Sequence, residues 1–151
     1  MIKKIRIPKE RLKILKEVKD VIESEGNVKL EINSEVSIVG DSLSIFNTQN
    51  VIIAIGRGFG FDDASKLFKD CTLYVIPISK NKRTLYRIKA RIIGKNGKIK
   101  KRIEMMTGVK ISVYGKTVSI IGKGDELEVA RNALERIIAG ESHASVFRFL
   151  K

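Results

Sequence analysis

Two five-residue strings recur in this chain at almost constant spacing. Val28-Lys29-Leu30-Glu31-Ile32 returns as Val109-Lys110-Ile111-Ser112-Val113, 81 residues later. Val36-Ser37-Ile38-Val39-Gly40 returns as Val118-Ser119-Ile120-Ile121-Gly122, 82 residues later. The extra residue falls in the turn between the strings, where an insertion costs least. Flanking segments correspond as well: Val18, Ile22 and Glu23 match Ile99, Ile103 and Glu104, while Ile55 and Gly58 match Ile137 and Gly140. The 151 residues therefore hold two copies of one unit of roughly 70 residues, each near the lower size limit of an independent core.

Each copy reads strand, helices, strand, strand, helix. Residues 2–7 alternate as a strand and stop at Pro8. Residues 9–25 carry Leu12, Leu15, Val18, Val21 and Ile22 at helical spacing, and one continuous helix is the simplest reading. Residues 28–32 and 36–39 form a hairpin, after which Asp41 offers an N-cap to a helix reaching Ile55 and closed by Gly56 and Gly58. The second copy runs as a strand over 72–78, a basic helix over 82–93, a glycine loop, and a helix that Gly108 ends. A hairpin over 109–121 follows, then a helix over 126–139 with Asp125 as its expected cap. Leu127, Ala130, Leu134, Ile137 and Ile138 stripe that helix and belong to the core. The expected domains are residues 1–58 and 72–140, bridged by a short linker helix within 59–71. The apolar tail 141–151, with Val146, Phe147, Phe149 and Leu150, is expected to dock on the second body.

Charge separates the copies. Residues 1–78 hold 12 Lys/Arg and 11 Asp/Glu, a balance of +1, whereas residues 79–151 hold 18 and 6, a balance of +12. A lysine-rich thermophilic surface would match its lysines with glutamates, and this one does not. The asymmetry points to a polyanionic partner for the second copy. Near-neutral, the first copy suits packing on its twin or a protein partner. Three Tyr, six Phe and no Trp make base stacking an unexpected main mode of recognition.

Cys71 is the single cysteine and His143 the single histidine, so neither an internal disulfide nor a Cys/His zinc site is expected. No apolar run reaches the roughly 20 residues of a membrane span. The first eight residues alternate apolar and basic side chains, unlike a signal peptide. A reducing, cytoplasmic setting is expected, with no cofactor and no metal.

The chemistry concentrates in one segment. Between Lys80 and Arg102 lie 11 Lys/Arg in 23 residues and no acid. At its centre Gly94-Lys95-Asn96-Gly97 separates two helices, and the spacing excludes a P-loop. Glycines let backbone approach a phosphodiester, and the helix that follows turns its positive dipole end toward the phosphates. Lys95, Lys98 and Lys101 add charge, while Ile92, Ile93 and Ile99 would wall a groove against strand 109–113. Bases splayed from a single strand could bond there to exposed strand backbone. Opposite this loop, the first copy has Lys13-Ile14-Leu15-Lys16, without glycine.

This segment resembles the KH domain. The string from Arg87 to Gly97, Val113 through Gly122, Ala54 through Phe59, and the ending His143 through Leu150 carry the resemblance. Nearly the whole chain is similar to the archaeal and eukaryotic two-KH proteins of small-ribosomal-subunit maturation, partners of the Nob nuclease. The resemblance implies an α+β fold of tandem type I KH domains, the first lacking the GxxG loop. It also implies a non-catalytic protein binding single-stranded RNA at the 3′ end region of small-subunit ribosomal RNA, with a maturation nuclease or another assembly factor as protein partner. A general KH protein of RNA degradation or translation is the nearest rival. An enzyme would need clustered carboxylates or a nucleophile with a base, and acids are missing where substrate would lie. The expected RNA-binding residues are Arg87, Arg91, Ile92, Ile93, Gly94, Lys95, Asn96, Gly97, Lys98, Lys101, Lys110 and Ile111. On this reading Gly94→Asp with Gly97→Asp abolishes most RNA binding and preserves folding.

Bland alternatives fit other features. Gly56-Arg57-Gly58-Phe59-Gly60 lies at a helix end, where glycines serve as C-caps. His143 has no nucleophile beside it and reads as a tail contact.

Overall fold

The computed structural model describes residues 1–151 and divides into two compact units, Met1–Cys71 and Thr72–Lys151. The first unit comprises β1 (Ile2–Ile5), α1 (Lys9–Glu17), α2 (Lys19–Gly26), β2 (Lys29–Ile32), β3 (Val36–Val39), α3 (Ser42–Gly56) and α4 (Phe61–Ala64), the last continued by a 3-10 turn, Ser65–Phe68. The second comprises β4 (Thr72–Pro77), α5 (Lys82–Ile93), α6 (Lys98–Thr107), β5 (Lys110–Tyr114), β6 (Thr117–Gly122), α7 (Gly124–Ile138) and α8 (His143–Leu150). No helix is long and apolar enough to cross a membrane.

Both sheets are antiparallel and share one topology, β1-β3-β2 and β4-β6-β5. The last strand of each unit lies in the middle of its sheet. Val36 and Ile38 of β3 and Val118 and Ile120 of β6 are buried, and β6 is buried along its whole length from Val118 to Gly122, as a strand flanked on both edges can be. The one-residue difference between copies lies in the hairpin, as the spacing implied. Residues 33–35 connect β2 to β3, whereas the second unit adds a further cross-strand pair, Tyr114↔Thr117, and turns through Gly115 and Lys116. Gly115 has φ 57, a left-handed value that glycine reaches without a Cβ clash.

The helices that cover the two sheets bury matching positions. Thr48, Val51, Ile52 and Ile55 of α3 and Ala130, Ala133, Leu134 and Ile137 of α7 are all fully buried, each pair 82 residues apart. Burying side chains of this kind stabilises by about 1.5–3 kcal/mol for each Leu, Ile or Val.

Three expectations need correction. The first-unit helix is not continuous: it breaks at Val18, whose backbone departs from helical values at φ −111, ψ 12. The positions matching Gly94–Gly97, Lys13–Lys16, stay helical within α1, and the chain bends just after them, at the residue that matches Ile99. Asp125 does not cap α7: Lys123 holds the N-cap position without a side-chain bond, and Asp125 lies in the first turn. Residues 59–71 are not a free-standing linker. They lie inside the first unit, with Phe59, Ala64 and Leu67 buried. They match α8 in position, so each unit closes with a short C-terminal helix, and both units extend further than the expected ends at 58 and 140. The tail docks as its composition suggested: Val146 and Phe147 join the core of the second unit.

Candidate nucleic-acid interface

Helix α5 starts on Asn81, whose side chain accepts the Thr84 amide at 3.0 Å. It ends where Gly94 takes φ 74, ψ 177, closed to normal residues. Lys95–Gly97 then form a single 3-10 turn in which Asn96 (φ 59) and Gly97 (φ 74) are left-handed. Asn tolerates that region better than most residues because its short amide can bond locally. The turn is closed by the Gly97 amide donating to Gly94 O at 3.2 Å. Lys95 and Asn96 project as its exposed tip. Helix α6 begins at once with Lys98, placing the positive end of its dipole at the tip.

Gly94 has a second duty. A Cβ there would stand 2.3 Å from Ile99 Cγ1 and 3.0 Å from the Ile99 backbone N. The glycine is thus required for the turn's own packing, quite apart from any phosphate. Gly94→Asp would damage the loop itself, so the expectation that the double aspartate variant folds normally is corrected.

The expected site residues separate into groups. Arg87, Lys95, Asn96, Lys98, Lys101 and Lys110 are exposed; Ile93, Gly94 and Gly97 are half-buried at the loop. Ile92 is 0% exposed and Ile111 4%, both within the core of the second unit, so neither can touch RNA. Arg91 is also misplaced. Its guanidinium donates to Ile137 O at 2.8 Å and to Glu141 O at 2.6 Å, binding α5 to the end of α7. Arg11 makes the same fork in the first unit, to Ile55 O and Phe59 O, both at 2.8 Å. A residue that recurs where no glycine loop exists serves the shared fold. His143 reinforces the junction: its Nε2 lies 2.9 Å from Arg91 O, and since a carbonyl only accepts, Nε2 carries the proton. Arg102 stacks on Phe147 at 3.9 Å from the ring centroid and so helps seat α8.

The strand edge differs from expectation as well. The Ile111 amide points outward from β5 and donates to Glu104 Oε2 at 2.9 Å. In the first unit the Leu30 amide donates to Glu23 Oε2 at 2.7 Å. A helix carboxylate thus occupies the edge donor that a base would otherwise use. Lys101 and Lys110 line a shallow cleft of about 410 Å³ beside Glu104.

A larger concavity, about 820 Å³, lies along α5 and is lined by Lys82, Arg83, Leu85, Tyr86, Lys89, Ala90 and Ile93. Of these the sequence reading included Ile93 alone. The signal was available: stepping back from Ile93 by helical turns reaches Ala90, Lys89 and Tyr86. Lys89 also donates to Gly115 O at 3.0 Å, tying α5 to the hairpin turn.

Residues 72–151 match the family model for the second KH domain of Pno proteins, described as a eukaryotic type KH-domain, type I. The chain is 39% identical to a KH domain-containing protein of Methanocaldococcus jannaschii, over 97% of this chain and 71% of that one. It is 29% identical to the pre-rRNA-processing protein pno1 of Aspergillus fumigatus, over 74% of this chain but 47% of that longer protein. Crystal structures of Dim2p from Pyrococcus horikoshii superpose with TM-score 0.91, at 34% identity over 99% of this chain and 98% of that one for the free protein. In the complex of that protein with a/eIF2alpha and rRNA, identity is 35% and the coverages are 99% and 92%. The chain belongs to the Pno/Dim-type family of KH-domain ribosome maturation proteins.

Proposed function

We propose that this protein is a non-catalytic factor of pre-rRNA processing that holds the 3′ end region of small-subunit ribosomal RNA as a single strand in its second unit. The observation that carries the reading is the exposed Lys95-Asn96 tip, set between two positive-φ glycines at the head of α6 in a segment free of acids. A phosphodiester fits there by close backbone approach and charge, and bases then lie beside α5. The Pyrococcus relative, crystallised with rRNA and a/eIF2alpha, and the fungal pre-rRNA-processing relative support the substrate class. A protein partner, a maturation nuclease or another assembly factor, is part of the proposal; the presence of a/eIF2alpha with the Pyrococcus relative supports only that such a protein can have a protein partner. Non-catalytic action is supported by the basic segment from Lys80 to Arg102 itself, which offers no carboxylate to serve as a base or to hold a metal ion.

Two titrations at fixed near-physiological salt test this. The first compares a single-stranded RNA matching the 3′ end of small-subunit rRNA with a scrambled RNA of equal length. Preference for the former is expected, and equal binding overturns the 3′-end assignment. The second uses Lys95→Asp with Asn96→Asp, since aspartate tolerates the left-handed Asn96 position and neither side chain is buried. The variant should fold normally and lose most affinity; unchanged affinity overturns the clamp.

A further inference from the structure

Tyr86 is the most exposed aromatic side chain of the second unit, at 80%. It stands on α5 two helical turns before Gly94, about 12 Å along the axis at 1.5 Å per residue. A lone exposed ring is ordinary on a protein surface, as Phe46 at 62% shows in the first unit. The surroundings of Tyr86 set it apart. Lys82 and Arg83 flank it one turn earlier, Lys89 one turn later, and these line the same concavity. Ala90, exposed and small, leaves the space between Tyr86 and Ile93 open. The ring, the gap and the cations together form a slot with one flat apolar wall and a basic rim.

We infer that Tyr86 is a stacking platform for a nucleobase of the bound strand, lying beyond the nucleotides held at the glycine loop. This rests on the RNA-binding reading above and extends it by one recognition subsite. An acidic protein surface is the other class that such a rim could attract. A flat ring between cations, on the helix that leads into the phosphate turn, favours the strand. The contact adds affinity without adding a phosphate contact, because stacking involves the base face and every base has one.

The test uses the full chain and single-stranded RNAs of one length, each carrying one abasic site at a different position. Wild type should lose affinity at a particular position outside the clamped stretch. Tyr86→Ala should bind intact RNA about five- to a hundredfold more weakly, and the abasic site at that position should then cost nothing further. Tyr86→Phe should retain wild-type affinity, since the ring carries the contact. The dependence of log affinity on log salt should be the same in all three proteins. If Tyr86→Ala binds as wild type while Lys95→Asp with Asn96→Asp abolishes binding, the clamp stands and the Tyr86 inference falls. A changed salt slope in Tyr86→Ala, or equal losses in Ala and Phe variants, would also overturn it. If no variant, including the double aspartate, alters binding, the RNA reading itself falls.

Discussion

The Arg91 guanidinium reaches across the second unit to the carbonyl of Ile137 at 2.8 Å, 46 residues away in the chain. Ile137 O also accepts the Gly140 amide at 3.0 Å, and with its second bond, to Glu141 O, the guanidinium ties α5 to the last turn of α7 and to the segment that follows it. The fork is half-buried, so its loss would leave Glu141 O without that donor and Ile137 O with the Gly140 amide alone.

Arg91→Ala should therefore lower the stability of the second unit by about 2–4 kcal/mol, at roughly 1.5–3 kcal/mol for each bond to a charged donor with partial compensation. Arg91→Lys should recover little, since an ammonium cannot span both carbonyls as a planar fork does. Denaturant unfolding would show this, with RNA affinity of the folded variant close to wild type. An affinity loss without a stability loss would restore Arg91 to the interface.

Gly94→Ala should destabilise by about 1–3 kcal/mol, the cost of a positive-φ, extended-ψ backbone that essentially only glycine adopts, with the contact to Ile99 adding to it. Gly97→Ala meets nothing closer than Lys101 Cε at 4.0 Å and should carry the backbone cost alone. Melting temperatures that place Gly97→Ala above Gly94→Ala would confirm the different duties of the two glycines.

Lys98→Gln with Lys101→Gln should flatten the salt dependence of RNA binding. Each phosphate contact on a single strand contributes about 0.7 to the slope of log affinity against log salt. A slope smaller by about 1.4 would mean that both lysines meet phosphates. An unchanged slope would mark them as a solvated helix face.

In the first unit Asp41 accepts the Ser44 amide at 2.9 Å and the Ser44 hydroxyl at 2.9 Å. The amide bond, followed by the hydroxyl, holds its carboxyl below the usual 3.8. The unfolded chain then binds more protons than the folded one at low pH, so this stabilisation is complete at neutral pH and is lost as pH falls through the folded value. Asp41→Ala should lower the urea midpoint at pH 7, and the gap to wild type should shrink in strong acid. Asp41→Asn retains a capping oxygen without the charge and should show a flatter pH response.

What the amino-acid order determined alone is local or repeated. The duplication, the two hairpins, the Asp41 cap and the Gly94–Gly97 turn are written in short-range periodicity and in residues that bond or bend within a few positions. The acid-free segment around the turn was equally legible, because net charge needs no geometry. Tertiary structure decided which of the basic and apolar residues face outward. Arg91, Ile92 and Ile93 are consecutive, yet one clamps α7, one is core and one opens on the cleft beside Tyr86. Neighbours on a helix point in directions a hundred degrees or so apart, and the direction that is buried depends on elements far along the chain. The Ile111 amide went the same way: it looked available as a strand edge until α6 set Glu104 across from it at 2.9 Å. A donor's fate depends on what packs opposite, and only the folded chain brings that partner into place.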